Sequence, residues 1–174
     1  MVDNSYVSYS DGAMPEVILY HGTSTYRLNS IQRENCLRLS PCGDPKVSLT
    51  TDRAVAEYFA CNAVFADRHD HPGEESQPVI LALDGDGLDE LLYDLEPFSD
   101  DIWGEGKCDW EKEIACWDDI DPLDEVLIGT EPLPEECLDN WVSAVRDLEP
   151  AAIVSGLFSR VPWVVGNIYF NKFN

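Results

Sequence analysis

Short apolar runs of strand length alternate with helical patterns along the first half of the chain. Residues 17–20 form a continuous apolar run and predict a buried strand. Apolar residues recur at helical spacing through residues 25–37, which predicts a short helix. Residues 47–50 alternate between apolar and polar and predict a second strand. Residues 54–60 predict a second helix with a small, closely packing face, capped by Thr51 or Asp52.

The middle of the chain contains one strong strand between two polar segments. Residues 69–78 are charged and contain proline and glycine, which predicts an exposed loop. The sequence VILAL at residues 79–83 is the strongest strand candidate in the chain. Residues 84–108 are acidic and rich in glycine, and they predict a long connection that is either a lid or a solvated excursion. Its Gly85–Gly87 stretch is interpreted as a turn.

Three further elements are predicted in the last third of the chain. Residues 110–115 alternate as a strand, with Glu111 and Glu113 on one face and Lys112 on the other. Residues 125–129 predict another strand, and residues 134–148 an amphipathic helix. The apolar and aromatic tail at residues 153–173 predicts packing or a terminal strand.

Strands interleaved with a few helices, without regular βαβ alternation, indicate an α+β fold. We expect a polar N-terminal arm at residues 1–15 and a single domain at residues 16–174, since 174 residues suffice for one substantial core. The C-terminal helix and strand are expected within residues 134–174.

The charge is extreme, with 34 acidic and 11 basic residues and a formal net charge of −23. Such a surface repels phosphate backbones, so nucleic acid is not expected as a nonspecific partner. Two interpretations are open: a well-solvated acidic surface, or one that docks a basic protein or imitates nucleic acid. The chain has no run of 18 apolar residues and no signal-like N-terminus, which predicts no membrane partner and a cytoplasmic location.

The six cysteines include no C-x-x-C pair and have no histidine at zinc-finger spacing. Without a secretory signal they are expected to be reduced and mostly buried. His69 and His71, near Glu74 and Glu75, are interpreted as part of a solvated loop. No metal site is therefore predicted.

The candidate chemistry lies in three ordered segments. His21-Gly22-Thr23 follows the first apolar run, Ser48-Leu49-Thr50-Thr51 forms the second strand and its end, and Glu111-Lys112-Glu113 lies in a later strand. Glycine-rich dinucleotide, Walker and nucleophile-elbow motifs are absent. Together with the alanine-rich helix that carries Tyr58, these segments resemble the ADP-ribosyltransferase family over about residues 17–130.

The resemblance implies a split, mostly antiparallel sheet flanked by short helices, and a mono-ADP-ribosyltransferase that uses NAD as a substrate and releases nicotinamide. It implies that Glu113 stabilises the positive charge that develops on the ribose, and that Glu111, on the same strand face, orients or deprotonates the acceptor. His21 is then expected to bind the adenosine ribose, and the Gly22 backbone the nicotinamide amide. The expected acceptor is a protein with a basic surface.

The remaining cofactor-binding residues implied by the resemblance are Thr23, Ser48, Thr50, Thr51 and Tyr58. The three hydroxyl residues of the second segment are expected to shape the pocket, and Tyr58 to stack on nicotinamide. The spacing also permits Tyr58 to be a core residue.

Two other functions are open at this stage. An RNA 2′-phosphotransferase shares the His-Gly-Thr opening and the expected fold, and would use the arginines of the first half: Arg27, Arg33, Arg38, Arg53 and Arg68. A non-catalytic acidic inhibitor on the same scaffold would instead bind a basic partner independently of His21 and Glu113. In this family a leading histidine usually occurs with a single glutamate, and Glu-x-Glu with a leading arginine. This chain combines the two, which leaves the acceptor open.

Overall fold

A computed structural model describes residues 15–41, 44–98 and 111–146. These ranges form an α+β structure, in which a six-stranded antiparallel sheet is accompanied by four α-helices. The elements in chain order are β1 (Ile18–Ser24), α1 (Thr25–Glu34), β2 (Val47–Thr50), α2 (Arg53–Asp70), β3 (Pro78–Asp84), α3 (Gly85–Glu90), β4 (Leu95–Pro97), β5 (Glu113–Cys116), a 3-10 helix (Leu123–Glu125), β6 (Leu127–Pro132) and α4 (Glu135–Arg146).

The sheet consists of two three-stranded halves. The strand order is β4-β5-β2-β1-β3-β6, and neighbouring strands are antiparallel. β1 pairs with β3 over all seven of its residues, but with β2 only where Tyr20 lies opposite Thr50. This single pair, which we call the seam, joins the half β4-β5-β2 to the half β1-β3-β6. Beyond the seam, β1 and β2 diverge.

Helix α2 packs directly against β1, and a glycine makes this contact possible. A Cβ atom at Gly22 would lie 2.1 Å from the carbonyl oxygen of Ala56 and 2.6 Å from the backbone nitrogen of Ala60. Only glycine permits so close an approach of helix and strand backbones. The predicted small packing face of α2 is thus confirmed, and Ala56 and Ala60 are buried in it.

Apolar side chains cover both faces of the sheet. On one face, Leu19, Leu49 and Leu83 pack with Ile120 and Val126 into the larger core cluster. On the other, Ile80 packs with alanines of α2 and with Leu133. The alternation of strand residues fixes which side chains belong to which face.

The prediction for β2 is confirmed at residues 47–50, whereas β1 extends further than predicted. β1 continues from Ile18 through Ser24, so His21, Gly22 and Thr23 lie within the strand and not after it. The polar residues of this stretch concealed the strand, because pairing with β3 and packing against α2 decide its conformation here.

Two helix ends differ from the prediction. α1 ends at Glu34 because Asn35 adopts a left-handed conformation with φ of 51°, which caps the helix before residue 37. α2 begins after the Asp52 cap, as expected, but continues to Asp70. His69 therefore lies in the last turn of this helix and not in a loop.

The segment predicted as an unbroken connection contains regular structure. The Asp84 side chain accepts a hydrogen bond from the Gly87 nitrogen at 2.9 Å and begins α3, so residues 85–87 are helical and not a turn. Leu95–Pro97 adds β4 to the sheet edge. Residues 99–108 lie outside the described ranges, so the prediction that this segment forms either a lid or a solvated excursion is not tested.

The later elements are shifted from their predicted bounds. β5 begins only at Glu113, and β6 covers Leu127–Pro132 in place of residues 125–129. α4 begins at Glu135, one residue after the predicted start, and is described as far as Arg146, so its predicted end at residue 148 lies outside the described residues. A 3-10 helix occupies the start of the region predicted as the fifth strand. The predicted N-terminal arm, apart from Pro15, and the predicted C-terminal strand lie outside the described residues.

The buried thiols predicted from the sequence are confirmed at Cys36, Cys61 and Cys116, which are free and buried, while Cys137 is half-buried. Burial raises the pKa of the Cys61 thiol to about 12. Within residues 15–41, 44–98 and 111–146, no helix combines the length and apolar character needed to cross a membrane. In those same ranges, no group of three or more His, Cys, Asp or Glu side chains is placed to hold a metal ion.

Candidate functional site

A broad cleft of about 1080 Å³ opens where β1 and β2 diverge beyond the seam. Helix α1 forms one side, and residues of α2 and of the turn before β5 complete it. The lining of the cleft includes His21 together with Glu111 and Glu113, which follow it about 90 residues later in the sequence. Three of the predicted cofactor-binding residues of the first strand, His21, Gly22 and Thr23, also line it.

The His21 imidazole bridges the gap between the diverging strands. Its Nδ1 lies 2.9 Å from the carbonyl oxygen of Ser48. A carbonyl oxygen only accepts, so Nδ1 carries the proton of this hydrogen bond. Burial lowers the pKa of His21, more than the Ser48 carbonyl raises it, and the positive charge of Arg27 lowers it further. The imidazole is therefore neutral at pH 7, and its Nε2 is a hydrogen-bond acceptor.

Glu113 begins β5 opposite Thr50 and is paired with a lysine. Lys46 Nζ lies 3.0 Å from Glu113 Oε1, and each side chain is 11% exposed. The same Nζ lies 3.0 Å from the centroid of the Phe98 ring. Oε1 is buried, and apart from this ion pair it has no hydrogen-bond partner among the described residues.

Glu111 lines the cleft, but its backbone conformation differs from the predicted strand. Lys112 has φ of 44°, a left-handed conformation that breaks the strand alternation, so Glu111 precedes β5 and does not share its face with Glu113. The Thr50 hydroxyl donates to the Glu111 carbonyl oxygen at 2.8 Å. Lys112 Nζ bonds to Asp52 Oδ2 at 2.9 Å. The predicted strand face is wrong, but both carboxylates line the same cleft.

The hydroxyl residues of the second segment differ in position. Ser48 is exposed and lines the cleft. Thr50 is buried and also lines it, and its hydroxyl is occupied by the Glu111 carbonyl and the Asp52 amide. Thr51 is exposed and does not belong to the cleft lining. The pocket role predicted for Thr51 therefore has no support in this arrangement.

Tyr58 is a core residue, and its predicted stacking on a ligand is wrong for this structure. The residue is 0% exposed, and its ring contacts Phe59 edge-on at 5.1 Å and lies 6.1 Å from the Trp141 ring. Burial raises its pKa strongly. The neighbouring Phe59 lines the cleft instead. The rotation of α2 about its axis determines which of these two aromatic residues lines the cleft, and the sequence alone did not determine that rotation.

Gly22 has a structural role that the sequence did not reveal. The side on which a side chain would project is filled by α2. Its amide and carbonyl lie in the plane of the sheet, where antiparallel strands form their hydrogen bonds. A contact of this backbone with a ligand remains a prediction.

A buried hydrogen-bond network at the start of α1 was not predicted from the sequence. Asp67, which is 5% exposed, accepts hydrogen bonds from the Ser24 hydroxyl and, at 2.8 Å, from Arg27 Nε. Ser24 in turn caps α1 by accepting from the Arg27 nitrogen at 3.2 Å. Asp67 lies 43 residues from Ser24 in sequence, and no local pattern signals that pairing.

The cleft is balanced in charge although the chain is strongly acidic. Its lining includes four basic residues, Arg27, Arg33, Arg38 and Lys46, and four acidic residues, Glu34, Glu74, Glu111 and Glu113. Over the whole sequence, acidic residues outnumber basic ones by 34 to 11. The cleft therefore carries a higher share of basic residues than the sequence as a whole, which favours an anionic ligand there.

No protein-family model, curated protein or solved structure matches this chain. What the cleft can do follows from its own groups. Its carboxylates suit a developing cation, its neutral imidazole suits a hydroxyl donor, and its basic side chains suit phosphate.

Proposed function

We propose that this protein is an NAD-dependent mono-ADP-ribosyltransferase that acts on a protein acceptor in the cytoplasm. The observation that carries the proposal is the meeting of His21 with Glu111 and Glu113 in one cleft at the seam. Glu113 at the start of β5 and His21 in β1 belong to opposite halves of the sheet, as expected for a split-sheet transferase.

The proposed reaction transfers ADP-ribose from nicotinamide to an acceptor nucleophile. The bond between the ribose C1′ and the nicotinamide nitrogen breaks, and its electron pair leaves with nicotinamide. The positive charge left on the ribose resembles that of glycoside cleavage and is stabilised by the Glu113 carboxylate. The acceptor then forms a bond to C1′ and gives its proton to Glu111.

The pairing of Glu113 with Lys46 is compatible with this role. The lysine lies 3.0 Å from Oε1, and the two side chains form an ion pair in a largely buried position. Because Oε1 is buried against the lysine, a ribose hydroxyl in our proposal donates its hydrogen bond to the other carboxylate oxygen, Oε2. That hydrogen bond orients the ribose for cleavage.

His21 acts in the proposal as a positioning residue. Its Nδ1 is committed to the Ser48 carbonyl, so its Nε2 is left to accept a hydrogen bond from a ribose hydroxyl of the adenosine half. The Gly22 backbone beside it binds the nicotinamide amide.

Nicotinamide release from NAD by the purified protein tests the proposal. We expect Glu113→Gln to reduce the rate by about 100-fold or more, because the amide cannot stabilise the ribose charge. The matched control is Glu131→Gln, a carboxylate on β6 that pairs with Arg53 and does not line the cleft. An unchanged rate in Glu113→Gln, with its circular dichroism spectrum intact, would remove Glu113 from the mechanism.

A second candidate function, RNA 2′-phosphotransferase, is favoured by one observation. Arg27, Arg33 and Arg38 all line the cleft, as a site for phosphorylated RNA requires. Arg53 and Arg68 do not line it. Incubation with a 2′-phosphorylated RNA distinguishes the candidates, since removal of the 2′-phosphate would support this second function and its retention would exclude it.

A further inference from the structure

The Arg27 guanidinium is anchored through its Nε by the buried carboxylate of Asp67. Asp67 Oδ1 accepts from Arg27 Nε at 2.8 Å, and Oδ2 accepts from the buried Ser24 hydroxyl. Both oxygens of this carboxylate therefore accept hydrogen bonds, and the Nε bond restricts the positions that the guanidinium can adopt. Arg27 lies in the first turn of α1, directly after the strand that carries His21.

The two terminal nitrogens of the same guanidinium, Nη1 and Nη2, are left for contacts in the cleft. The Arg27 side chain is 48% exposed and lines the cleft. Among the residues that the structure describes, no acceptor contacts its Nη1 or Nη2. A planar pair of N–H donors that is already oriented suits bidentate contact with phosphate oxygens, and little side-chain entropy is left to lose.

The other basic residues of the cleft are committed to protein partners. Arg33 Nη2 contacts both Ser30 and Glu34, and Arg38 Nε bonds to Glu34 at 2.8 Å. Lys46 is paired with Glu113. Arg27 differs from these three because its terminal nitrogens lack acceptors within the described part of the chain.

The surroundings of Arg27 favour an anion further. The first turn of α1 contains no acidic residue, although 34 of the 174 residues are Asp or Glu. The positive end of a helix dipole attracts negative charge within that turn. Arg27 is also close enough to His21 to lower its pKa, which places both residues at the same end of the cleft.

We infer that Arg27, oriented by Asp67 and Ser24, binds the diphosphate of the nucleotide that occupies this cleft. The inference rests on the proposed function for the identity of the nucleotide, but the phosphate contact itself depends only on the geometry around Arg27. Asp67 is a positioning residue, since it acts through Arg27 and has no free oxygen of its own.

The test measures equilibrium binding of ADP, adenosine and adenosine 2′-phosphate by calorimetry. We use the substitution Arg27→Lys, which retains a cation beside Asp67 but removes the paired donors. ADP affinity is expected to fall about tenfold, because a charge-assisted bidentate contact is lost. Adenosine affinity is expected to stay the same. The matched control is Arg33→Lys, in the same helix and cleft, which should change ADP affinity less than about twofold.

A double substitution guards against misfolding. Arg27→Gln with Asp67→Asn removes both charges together and leaves no unpaired buried carboxylate, and it should show the same loss of ADP affinity. Unchanged ADP affinity in both Arg27 variants, or an equal loss in Arg33→Lys, overturns the inference. A larger loss for adenosine 2′-phosphate than for ADP overturns the assignment to a diphosphate. The proposed enzymatic function fails separately, if ADP binding depends on Arg27 but NAD is not cleaved.

Discussion

Replacement of Gly22 by alanine should separate α2 from the sheet and destabilise the protein. The new Cβ atom would lie 2.1 Å from the Ala56 carbonyl oxygen and 2.6 Å from the Ala60 nitrogen, where ordinary contact begins at 3.4 Å. Both obstacles are backbone atoms, so no side-chain rotation relieves the clash. The helix would have to retreat by roughly 1 Å, which forfeits a substantial part of the packing along its buried face.

We expect this overpacking to cost about 3 kcal/mol in the free energy of unfolding. For a chain of this size, that loss lowers the melting temperature by roughly 6–12 °C. Denaturant unfolding followed by circular dichroism measures the first quantity and calorimetry the second.

Gly129→Ala provides the matched control, because a Cβ atom at Gly129 in β6 would meet nothing within 4 Å. We expect this control to change the unfolding free energy by less than about 0.5 kcal/mol. If Gly22→Ala cost no more than Gly129→Ala, the close contact of α2 with β1 would be refuted, and with it the structural role of Gly22.

Two further predictions concern the residues around the carboxylates and the imidazole. Lys112→Gly and Lys112→Ala both lose the ion pair with Asp52, but only glycine adopts the left-handed conformation without strain. The glycine variant should therefore be more stable than the alanine variant by about 1 kcal/mol in denaturant unfolding. Equal stability of the two variants would show that residue 112 does not keep the left-handed conformation. The pKa of His21 is lowered in the folded protein, so as the pH falls the imidazole of the unfolded chain is protonated first. The stability that the neutral His21 contributes is therefore complete above its ordinary pKa and is lost as the pH falls below about 6.5. The difference in unfolding free energy between pH 7.5 and pH 5 should therefore be smaller in His21→Gln than in the wild type, and His69→Gln, at an exposed position, serves as control. Equal pH dependence in His21→Gln and wild type would contradict the half-buried, neutral imidazole.

The coarse fold could be predicted from the sequence because side-chain alternation and apolar runs dominate its strongest elements. β2 was located at its observed bounds, since Val47 and Leu49 face the core and Ser48 faces out. The second half of β1 was missed, because His21-Gly22-Thr23-Ser24 is polar in sequence and only pairing with β3 makes it a strand. α3 was missed for a related reason: a Gly-Asp-Gly sequence favours a turn unless a preceding side chain, here Asp84, caps a helix.

The candidate site could be predicted only as a set of residues, not as a geometry. His21, Glu111 and Glu113 line one cleft, but the position of Glu111 depends on the φ angle of Lys112, which residue type does not reveal. Phe59 lines the cleft in place of Tyr58 because of the rotation of α2 about its axis. The contacts of Arg27 with Asp67 and of Lys46 with Glu113 join residues far apart in sequence, and neither pairing leaves a local pattern.

The single backbone pair at the seam links ligand affinity to the cohesion of the sheet. His21 belongs to one half and Glu113 to the other, and Tyr20 opposite Thr50 is the only register pair between β1 and β2 in the described residues. A molecule held by both side chains would span this junction and supply contacts that the strands themselves do not make. The separation of the two side chains is then set by the angle between the halves, so a substitution distant from the cleft could alter affinity by changing that angle alone.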